Sequence, residues 1–568
     1  MARSAARHRK RNLVDRLAAG APALAVVLVG GALGSLAATG VAMAATAQVP
    51  QDANPGNILN QQLLNRLNHP LGAVPGPGEL PPVLSAPKPE AAPQKVGPGV
   101  HFVLKGVRIG KSHFLTPAEL ATIYRPYIGH TVRFSDLQKI VEKIDALYRA
   151  KGVVTARAVL PPQRIANGVV RIDLVEGKIG KVEIKGNTVT RSVYIRKRID
   201  AVPGQVVDAK KIENELIYFN RTNQTQLHAS LQPGASFGLT NILLRATDPV
   251  AAQIEIFGDN EGVASTGADE GGIYIRDNKI LGLGDDLEIY AVRSAGSTTG
   301  NAVYNIPVNR WGGTAGLSFA RGEIKIVSGA AQPLEITGSS WTGAFNFVQP
   351  FFVTDRWKLA AALEFARDTS YSEIGGTSLG TTVVNKTSLG IRAQYIAPTR
   401  YSLFTLSMTP ERAHGAGSLG SATVYNGTYS LVQRLPKPLA RYSVALKSSW
   451  QYANRWTIAP AEQFSIGGAN SVRGYAQGLL SGSSGYYLQL ELHRSFPHHV
   501  DGFLFTDNGG VYNASPRWQV ITGIGAGFSW TWRRLTTSLA GGYAVDRTMP
   551  SQGSYQVNLR VALNFPVS

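Results

Sequence analysis

The chain has no cysteine among its 568 residues. No disulfide framework, thiolate metal site or cysteine nucleophile is therefore available. That composition suits an oxidising compartment outside the cytoplasm. Charged residues are also few, at 17%, and mean hydropathy lies close to zero. A helical membrane protein is far more apolar, whereas a membrane β-barrel gives this middle value because lipid-facing and lumen-facing residues alternate. Beyond the N-terminus there is no apolar run of spanning length, so any other membrane segment must be a strand. Acidic residues are scarce, 37 against 57 Lys and Arg, for a net charge of +20. A basic balance is one mark of nucleic-acid binding. Here it is spread over the leader, the middle and the C-terminal half, with no basic helix and no nucleic-acid motif. Attraction to anionic lipid headgroups or to an acidic, unfolded polypeptide is the better use of it.

The N-terminus reads as a targeting signal. Arg3, Arg7, Arg9, Lys10, Arg11 and Arg16 precede an apolar run from Leu17 to Val41. Ala42-Met43-Ala44 and Ala45-Thr46-Ala47 are both small-x-small cleavage patterns, so a signal peptide of residues 1–44, cut after 44 or 47, is expected. The alternative is a retained transmembrane anchor.

Residues 45–99 hold one short helix and a Pro-rich linker. Asn57 to Leu67 lacks Pro and Gly, and Leu59, Leu63, Leu64 and Leu67 recur at helical spacing with a polar face opposite. Pro75 to Pro98 reads as an extended linker. Residues 100–177 and 178–248 then repeat one α/β unit, each of about 75 residues. In the first, a strand at Phe102–Val107 is followed by a capping box at Thr116-Pro117-Ala118-Glu119 and a second at Ser135 to Gln138. The second capping box starts a helix with Leu137, Ile140, Val141, Ile144, Leu147 and Tyr148 on one face. Strands are expected at Val153–Leu160 and Val169–Val175. The second unit runs through Lys181–Asn187, a helix capped by Asp208, and strands near Leu227–Leu231 and Thr240–Leu244.

From residue 249 the helical period gives way to strict period two. Tyr555, Val557, Leu559, Val561, Leu563 and Phe565 share one face, and Gln556, Asn558, Arg560, Ala562 and Asn564 share the other. Tyr442–Tyr452 and Tyr486–His493 behave likewise, as lipid-facing strands require. Sixteen such strands can be counted. Short turns at 308–312, 353–355, 435–439, 497–499 and 533 alternate with longer loops at 322–336, 367–383 and 455–484. A soluble sandwich does not sort its loops by parity, whereas an outer-membrane barrel does.

The longest loop carries Val472-Arg473-Gly474-Tyr475. A later strand carries Phe505, Asp507 and Gly509 on one face, with Leu504 on the other. Asp507 is therefore expected to point into the lumen. A loop folded inward could set Arg473 against it, where a bidentate pair is worth more than at the surface.

The repeated α/β unit, through Leu104-Lys-Gly-Val107 and Ile184-Lys-Gly-Asn187, resembles the periplasmic POTRA domain. Together with the Val-Arg-Gly-Tyr loop and the Phe-x-Asp-x-Gly strand it resembles the superfamily of protein-translocating outer-membrane barrels of the BamA and TpsB types. The helix, linker, two POTRA-like units and sixteen strands resemble the two-partner secretion transporters of the FhaC, ShlB and HecB type. Asp259-Asn260, Thr266-Gly267 and Gly284-Asp285 also look like that family's first barrel strands. The resemblance implies an outer-membrane pore that exports one large adhesin- or haemolysin-like exoprotein, and no cofactor and no metal are expected. It implies POTRA domains in the periplasm that capture the unfolded client, and a helix at about 57–67 that plugs the pore. A monomer in contact with outer-membrane lipid is expected, with no nucleic acid and no enzymatic activity. One departure is the C-terminus, where Phe565 is followed by Pro566-Val567-Ser568 instead of ending the chain as an aromatic assembly signal.

Three other readings compete. An assembly factor of the same superfamily usually carries more POTRA units than two. A passive porin needs neither the repeats nor the Arg473 loop. Gly234-Ala-Ser-Phe-Gly238 matches a hydrolase nucleophile elbow, but that motif requires a helix after the turn and a strand is expected there. His498-His499 sit in a short turn without further ligands.

Overall fold

The computed structural model describes residues 53–67, 83–85, 101–165, 167–416, 420–513, 517–546 and 553–567, with only the backbone described for 64–67. The expected signal sequence and most of the Pro-rich linker lie outside the described residues. Helix α1 spans Pro55–Leu67. It starts two residues before the expected Asn57, because Asn54 caps it. The Asn54 side-chain oxygen accepts from the Gly56 and Asn57 N–H groups at 3.0 and 3.2 Å, and Pro55 occupies the first helical position, where no N–H is needed.

The first α/β unit contains β2 (His101–Val103), β3 (Gly106–Ile109), α2 (Pro117–Tyr124), β4 (Thr131–Arg133), α3 (Phe134–Ala150), β5 (Ala156–Val159) and β6 (Val169–Glu176). The expected first strand is thus split in two around Leu104. The Thr116–Glu119 capping box is present on α2. The box expected at Ser135 is not. Helix α3 begins two residues earlier than a cap at Ser135 would set it, and the Asp136 carboxylate accepts from the Arg133 N–H at 3.0 Å. An ionised carboxylate is a strong acceptor for a backbone N–H, so Asp136, three residues past the cap residue Arg133, takes the role given to Gln138, and Arg133 stands where Ser135 was expected. Leu137, Ile140, Ile144 and Tyr148 bury their face against the sheet.

The second unit contains β7 (Lys178–Lys185), α4 (Ser192–Arg196), α5 (Ala209–Thr222), β8 (Gln226–Pro233) and β9 (Leu239–Thr247). Asp208 caps α5 through the Lys211 N–H at 2.9 Å. The topology repeats: in each unit the first long strand pairs parallel with the last, and the middle strand lies antiparallel at the edge. One strand comes from outside the unit. β1 (Leu84–Ser85), from the Pro-rich segment, pairs parallel with β8. Residues 234–238 form the β8–β9 turn, so a strand and not a helix follows Ser236.

The barrel strands are β10 (Ala252–Asp259), β11 (Glu270–Asp277), β12 (Asp286–Ser294), β13 (Ser297–Pro307), β14 (Thr314–Lys325), β15 (Ile336–Val353), β16 (Trp357–Ile374) and β17 (Thr377–Ala397). They continue as β18 (Arg400–Gly415), β19 (Gly420–Arg434), β20 (Tyr442–Ala453), β23 (Ser484–Phe496), β24 (Val500–Tyr512), β25 (Trp518–Trp532), β26 (Leu535–Ala544) and β27 (Tyr555–Val567). β21 (Phe464–Ile466) and β22 (Leu480–Gly482) form a small hairpin within the longest loop. The sixteen wall strands close, with β10 bonded to both β11 and β27. Alternation is sharp: Leu504 is 62% exposed and its neighbour Phe505 is 5% exposed. The loop expected at 367–383 does not exist. β16 and β17 run on to a two-residue turn at Gly375-Gly376, both with positive φ (53° and 75°), the backbone that tight hairpins need. The Ser- and Thr-rich segment there is a polar strand pair carried beyond the apolar band. His498 and His499, also at positive φ, are a hairpin turn of the same kind. β27 continues to Val567, so Phe565 lies within the strand.

Candidate functional site: the loop and helix inside the barrel

The loop between β20 and β23 folds into the lumen, and Arg473 is 5% exposed. Its Nε and Nη2 donate to the two carboxylate oxygens of Asp507 at 2.7 and 2.8 Å, and its backbone N–H donates to the same group at 3.0 Å. Nη1 donates to Glu491 at 2.5 Å. The guanidinium carbon lies 3.6 Å from the centroid of the Phe505 ring, a cation–π contact in a desolvated place. Gly509 completes the seat, since a Cβ there would come within 2.8 Å of Val472. The three alternate residues of β24 thus all meet the loop: a ring under the guanidinium, a carboxylate in its fork, and space for the neighbouring valine.

The rest of the tip is held by packing and by two further glycines. Val472 and Tyr475 are buried with Ile466, Leu480, Val511, Ile521 and Ala544. The Tyr475 hydroxyl lies 2.9 Å from the Thr522 carbonyl and 2.8 Å from that of Asp546, and accepts from the Asp546 N–H at 3.0 Å. Gly474 has φ 95°, the left-handed region that favours glycine. In the wall opposite, an ideal Cβ on Gly523 would stand 1.9 Å from the Arg473 carbonyl oxygen.

One polar chain extends from this centre, and a second cluster lies at the root of the loop. Glu491 also contacts His493 Nε2 at 2.8 Å, and His493 Nδ1 contacts Asp501 at 2.5 Å. Carboxylates at both ring nitrogens are satisfied fully by a doubly protonated imidazole. At the root of the loop, Lys386 of β17 bonds Glu462 at 3.0 Å and also Asp368 of β16. Sequence reasoning missed both sets. Glu491 and His493 have lumen parity, which was the available signal. Glu462 lies in an aperiodic loop and had none.

Helix α1 lies in the same lumen, against β13, β14, β15, β16 and the loop. Ile58 packs with Val263, Ile324, Ile326 and Ile336. Leu59 is buried and Leu63 half-buried, while the side chains of Leu64 and Leu67 lie outside the described residues. The expected amphipathic split does not hold, because the polar face is buried too. Gln62 donates to the Ser297 hydroxyl at 2.9 Å and accepts from Thr299. Gln61 accepts from Gln477 of the loop at 2.8 Å, Asn57 accepts from Ser465 at 3.2 Å, and Asn60 donates to the Ala461 carbonyl. A polar lumen satisfies uncharged amides, so the helix fits without a wet side. Its approach is close: a Cβ on Gly338 would meet Pro55 at 2.3 Å.

A closed sixteen-strand barrel that holds its own loop and helix in the lumen, and is preceded by POTRA-type units, defines a protein-translocating barrel of the outer membrane. Residues 238–530 match the family described as haemolysin secretion/activation protein ShlB/FhaC/HecB, and residues 102–177 match the ShlB-type POTRA domain. The chain belongs to that family. It is 25% identical over 467 residues to the heme/hemopexin transporter protein HuxB of Haemophilus influenzae (strain 86-028NP), covering 75% of this chain and 79% of the relative. It is 23% identical over 473 residues to the outer membrane transporter CdiB of Dickeya dadantii (strain 3937), covering 77% and 82%. Among solved structures, CdiB from Acinetobacter baumannii shares the fold with a TM-score of 0.62 at 18% identity, over 91% of this chain and all (100%) of that one. The protein lies in the outer membrane with its POTRA units in the periplasm.

Proposed function

We propose that the protein secretes one large exoprotein through its own lumen, and that α1 and the Arg473 loop are the two movable parts that keep the lumen shut. The observation that carries this reading is how the two are held. Both sit inside the barrel on hydrogen bonds, ion pairs and side-chain packing, outside the strand ladder. They can leave while the wall stays closed. The relatives named transporter for heme/hemopexin or haemolysin support an exported protein partner.

The client is captured by the POTRA units and threads the lumen unfolded. An edge strand is the natural template for it. The edge of the first unit is blunted, since the outward Ala158 N–H of β5 donates to Asp145 at 2.7 Å. That of the second, β8, carries the two-residue linker strand β1, so the client pairs there by displacing residues 83–85. Folding outside the cell drives export. The outward apolar band contacts lipid, and a wall without an open strand edge favours a monomer.

The assembly-factor alternative has less support, because the family match is to secretion proteins. Co-expression with a candidate large exoprotein, sought first in the genes beside this one, tests the proposal. The exoprotein should appear in the medium only when this chain is present. Retention in the periplasm, with the barrel correctly inserted, would overturn it.

A further inference from the structure

Where α5 of the second POTRA unit meets the barrel, three cations converge around one amide. Arg221 of α5 is 7% exposed and donates through Nη2 to the lumen-facing Gln394 of β17 at 3.2 Å. Gln394 is held in turn by the Tyr401 hydroxyl at 3.1 Å. Lys358 of β16 stands directly opposite Gln394 in the ladder, and Arg392 is opposite Ala360. Lys358 and Arg392 are therefore diagonal neighbours on the lumen face, roughly 7–8 Å apart. Lys358, Arg392, Gln394 and the neighbouring Thr222 line a cavity of about 890 Å³.

The other cations of that cavity have carboxylate partners. Arg276 lies 3.8 Å from Glu288, and Lys386 is shared by Glu462 and Asp368. Among the described residues, Lys358 and Arg392 make no hydrogen bond or ion pair, and Arg221 Nε is buried without an acceptor. Of the lumen carboxylates on the same strand pair, Asp368 is taken by Lys386, and Glu364, opposite Ser388, acts on Arg392 only through space, without a hydrogen bond. Like charges set this close are destabilising unless an anion joins them. Glu364 and Asp355 reach Arg392 and Arg221 only through space, so among the described residues no carboxylate is bonded to any of the three cations and their donors are left for a further negative group.

The geometry points to a docking site for carboxylates at the periplasmic mouth of the lumen, formed by Arg221, Lys358 and Arg392, whose ligand is an acidic stretch of extended polypeptide entering the pore. This rests on the secretion reading for what enters. It adds where the chain is first held in the barrel and which side-chain chemistry holds it. An extended polypeptide can offer carboxylates at the spacing of a strand, and a low-dielectric rim concentrates such an anion at the entrance.

The test uses the full chain in lipid nanodiscs and a fluorescein-labelled peptide of ten glutamates, followed by anisotropy. Lys358→Gln with Arg392→Gln should weaken binding about tenfold, or ~1.4 kcal/mol. Arg196→Gln with Lys197→Gln, which removes the same charge from an exposed face of the POTRA unit, should change it less than about twofold. A ten-lysine peptide should not bind. Equal weakening by both pairs would reduce the effect to general attraction and overturn the site, as would unchanged binding in the lumen pair. Heat-modifiable migration on a gel checks that each barrel is folded. The lumen pair should also secrete less exoprotein; secretion at the wild-type rate would remove the client role. The peptide titration needs no exoprotein, so its outcome stands apart from whether the chain exports one.

Discussion

Arg473 and Asp507 are joined by three hydrogen bonds, and the carboxylate is fully buried at 0% exposure. Two come from the guanidinium fork and one from the backbone of the arginine itself, so the pair fixes the loop's main chain as well as its side chain. Removing one partner of a buried ion pair leaves an uncompensated charge and costs about 3–5 kcal/mol. Arg473→Glu should therefore release the loop, and secretion should fall, while the barrel remains in the membrane. Arg473→Lys should be nearly as damaging, because an ammonium cannot occupy the fork or the ring face in the same way. The check is protease sensitivity of the loop together with exoprotein in the medium. A charge-reversed variant with a protected loop and normal secretion would sink the latch.

Gly523 makes a second, independent prediction about the same seat. It lies in β25, and a Cβ there would stand 1.9 Å from the Arg473 carbonyl oxygen. Backbone must move to admit it, and overpacking of this kind costs ~1–3 kcal/mol or more. Gly523→Val should expel the loop tip even though every polar partner of Arg473 is intact. A cysteine placed at Ser471, buried in the native loop, should then become reactive to a membrane-impermeant thiol reagent. Continued protection would show that the loop tolerates the shift.

These two positions mark how far the sequence was legible. Strand parity located Asp507 on the lumen face and separated it from Leu504, since period two is imposed by the membrane itself. The Val-Arg-Gly-Tyr segment is ordinary for a loop by residue type, and it stands out only through the inward Asp507 that gives Arg473 a partner and through its resemblance to the family's loop motif. Gly523 was invisible, because a glycine in a strand does not reveal which backbone approaches it. The polar face that carries Gln62 and Asn60 is legible from helical spacing, but its burial is not, since periodicity does not tell a polar lumen from water. The hairpin at Gly375-Gly376 was taken for a loop because its Ser and Thr residues look aperiodic once lipid no longer selects apolar partners. The start of α3 is expected at Ser135 because a hydroxyl is the commoner cap signature, whereas Arg133 is the cap residue and Asp136 accepts from its N–H.

Removal of α1 should change conductance without changing the wall. The helix contributes hydrogen bonds to Ser297, Thr299, Gln477 and Ala461 but no strand pairing. A chain lacking residues 53–67 should fold and show a larger single-channel conductance in a planar bilayer. Gln62→Leu should do so partially, by raising the frequency of open events, since each lost bond is worth about 0.5–1.5 kcal/mol. Unchanged conductance after deletion would argue that α1 does not plug the pore.

The first POTRA unit carries a charge-dependent cap. Glu119 accepts from Lys151 Nζ and from the Thr116 N–H and hydroxyl. The Lys151 bond, followed by those of Thr116, lowers its carboxyl to about 2. The folded value lies below the unfolded one, so the contribution is present in full above about 4.5 and is lost as pH falls toward 2. The stability difference between wild type and Glu119→Gln should be constant from pH 7 to 5 and shrink below that. Thermal unfolding of the POTRA transition measures it, and a difference that persists unchanged at pH 2.5 would contradict the cap.

The linker strand gives the last prediction. Leu84 pairs with Ala229 and Ser85 with Ser230, the Ala229 N–H donates to the Val83 carbonyl at 2.8 Å, and Ser85 contacts His228 at 3.0 Å. Asn220 covers the start of the same edge, accepting from the Leu227 N–H at 2.7 Å and donating to its carbonyl. The pairing is only two residues long, and a longer client strand exchanges with it at small cost because each new bond replaces one of the same kind. Ser85→Cys with Ser230→Cys should trap the linker on β8 under oxidising conditions, because these partners lie side by side in the ladder. Secretion should then stop and should return on addition of a reductant, while either single variant secretes normally. Export by the oxidised double variant at the wild-type rate would mean that the client does not use this edge.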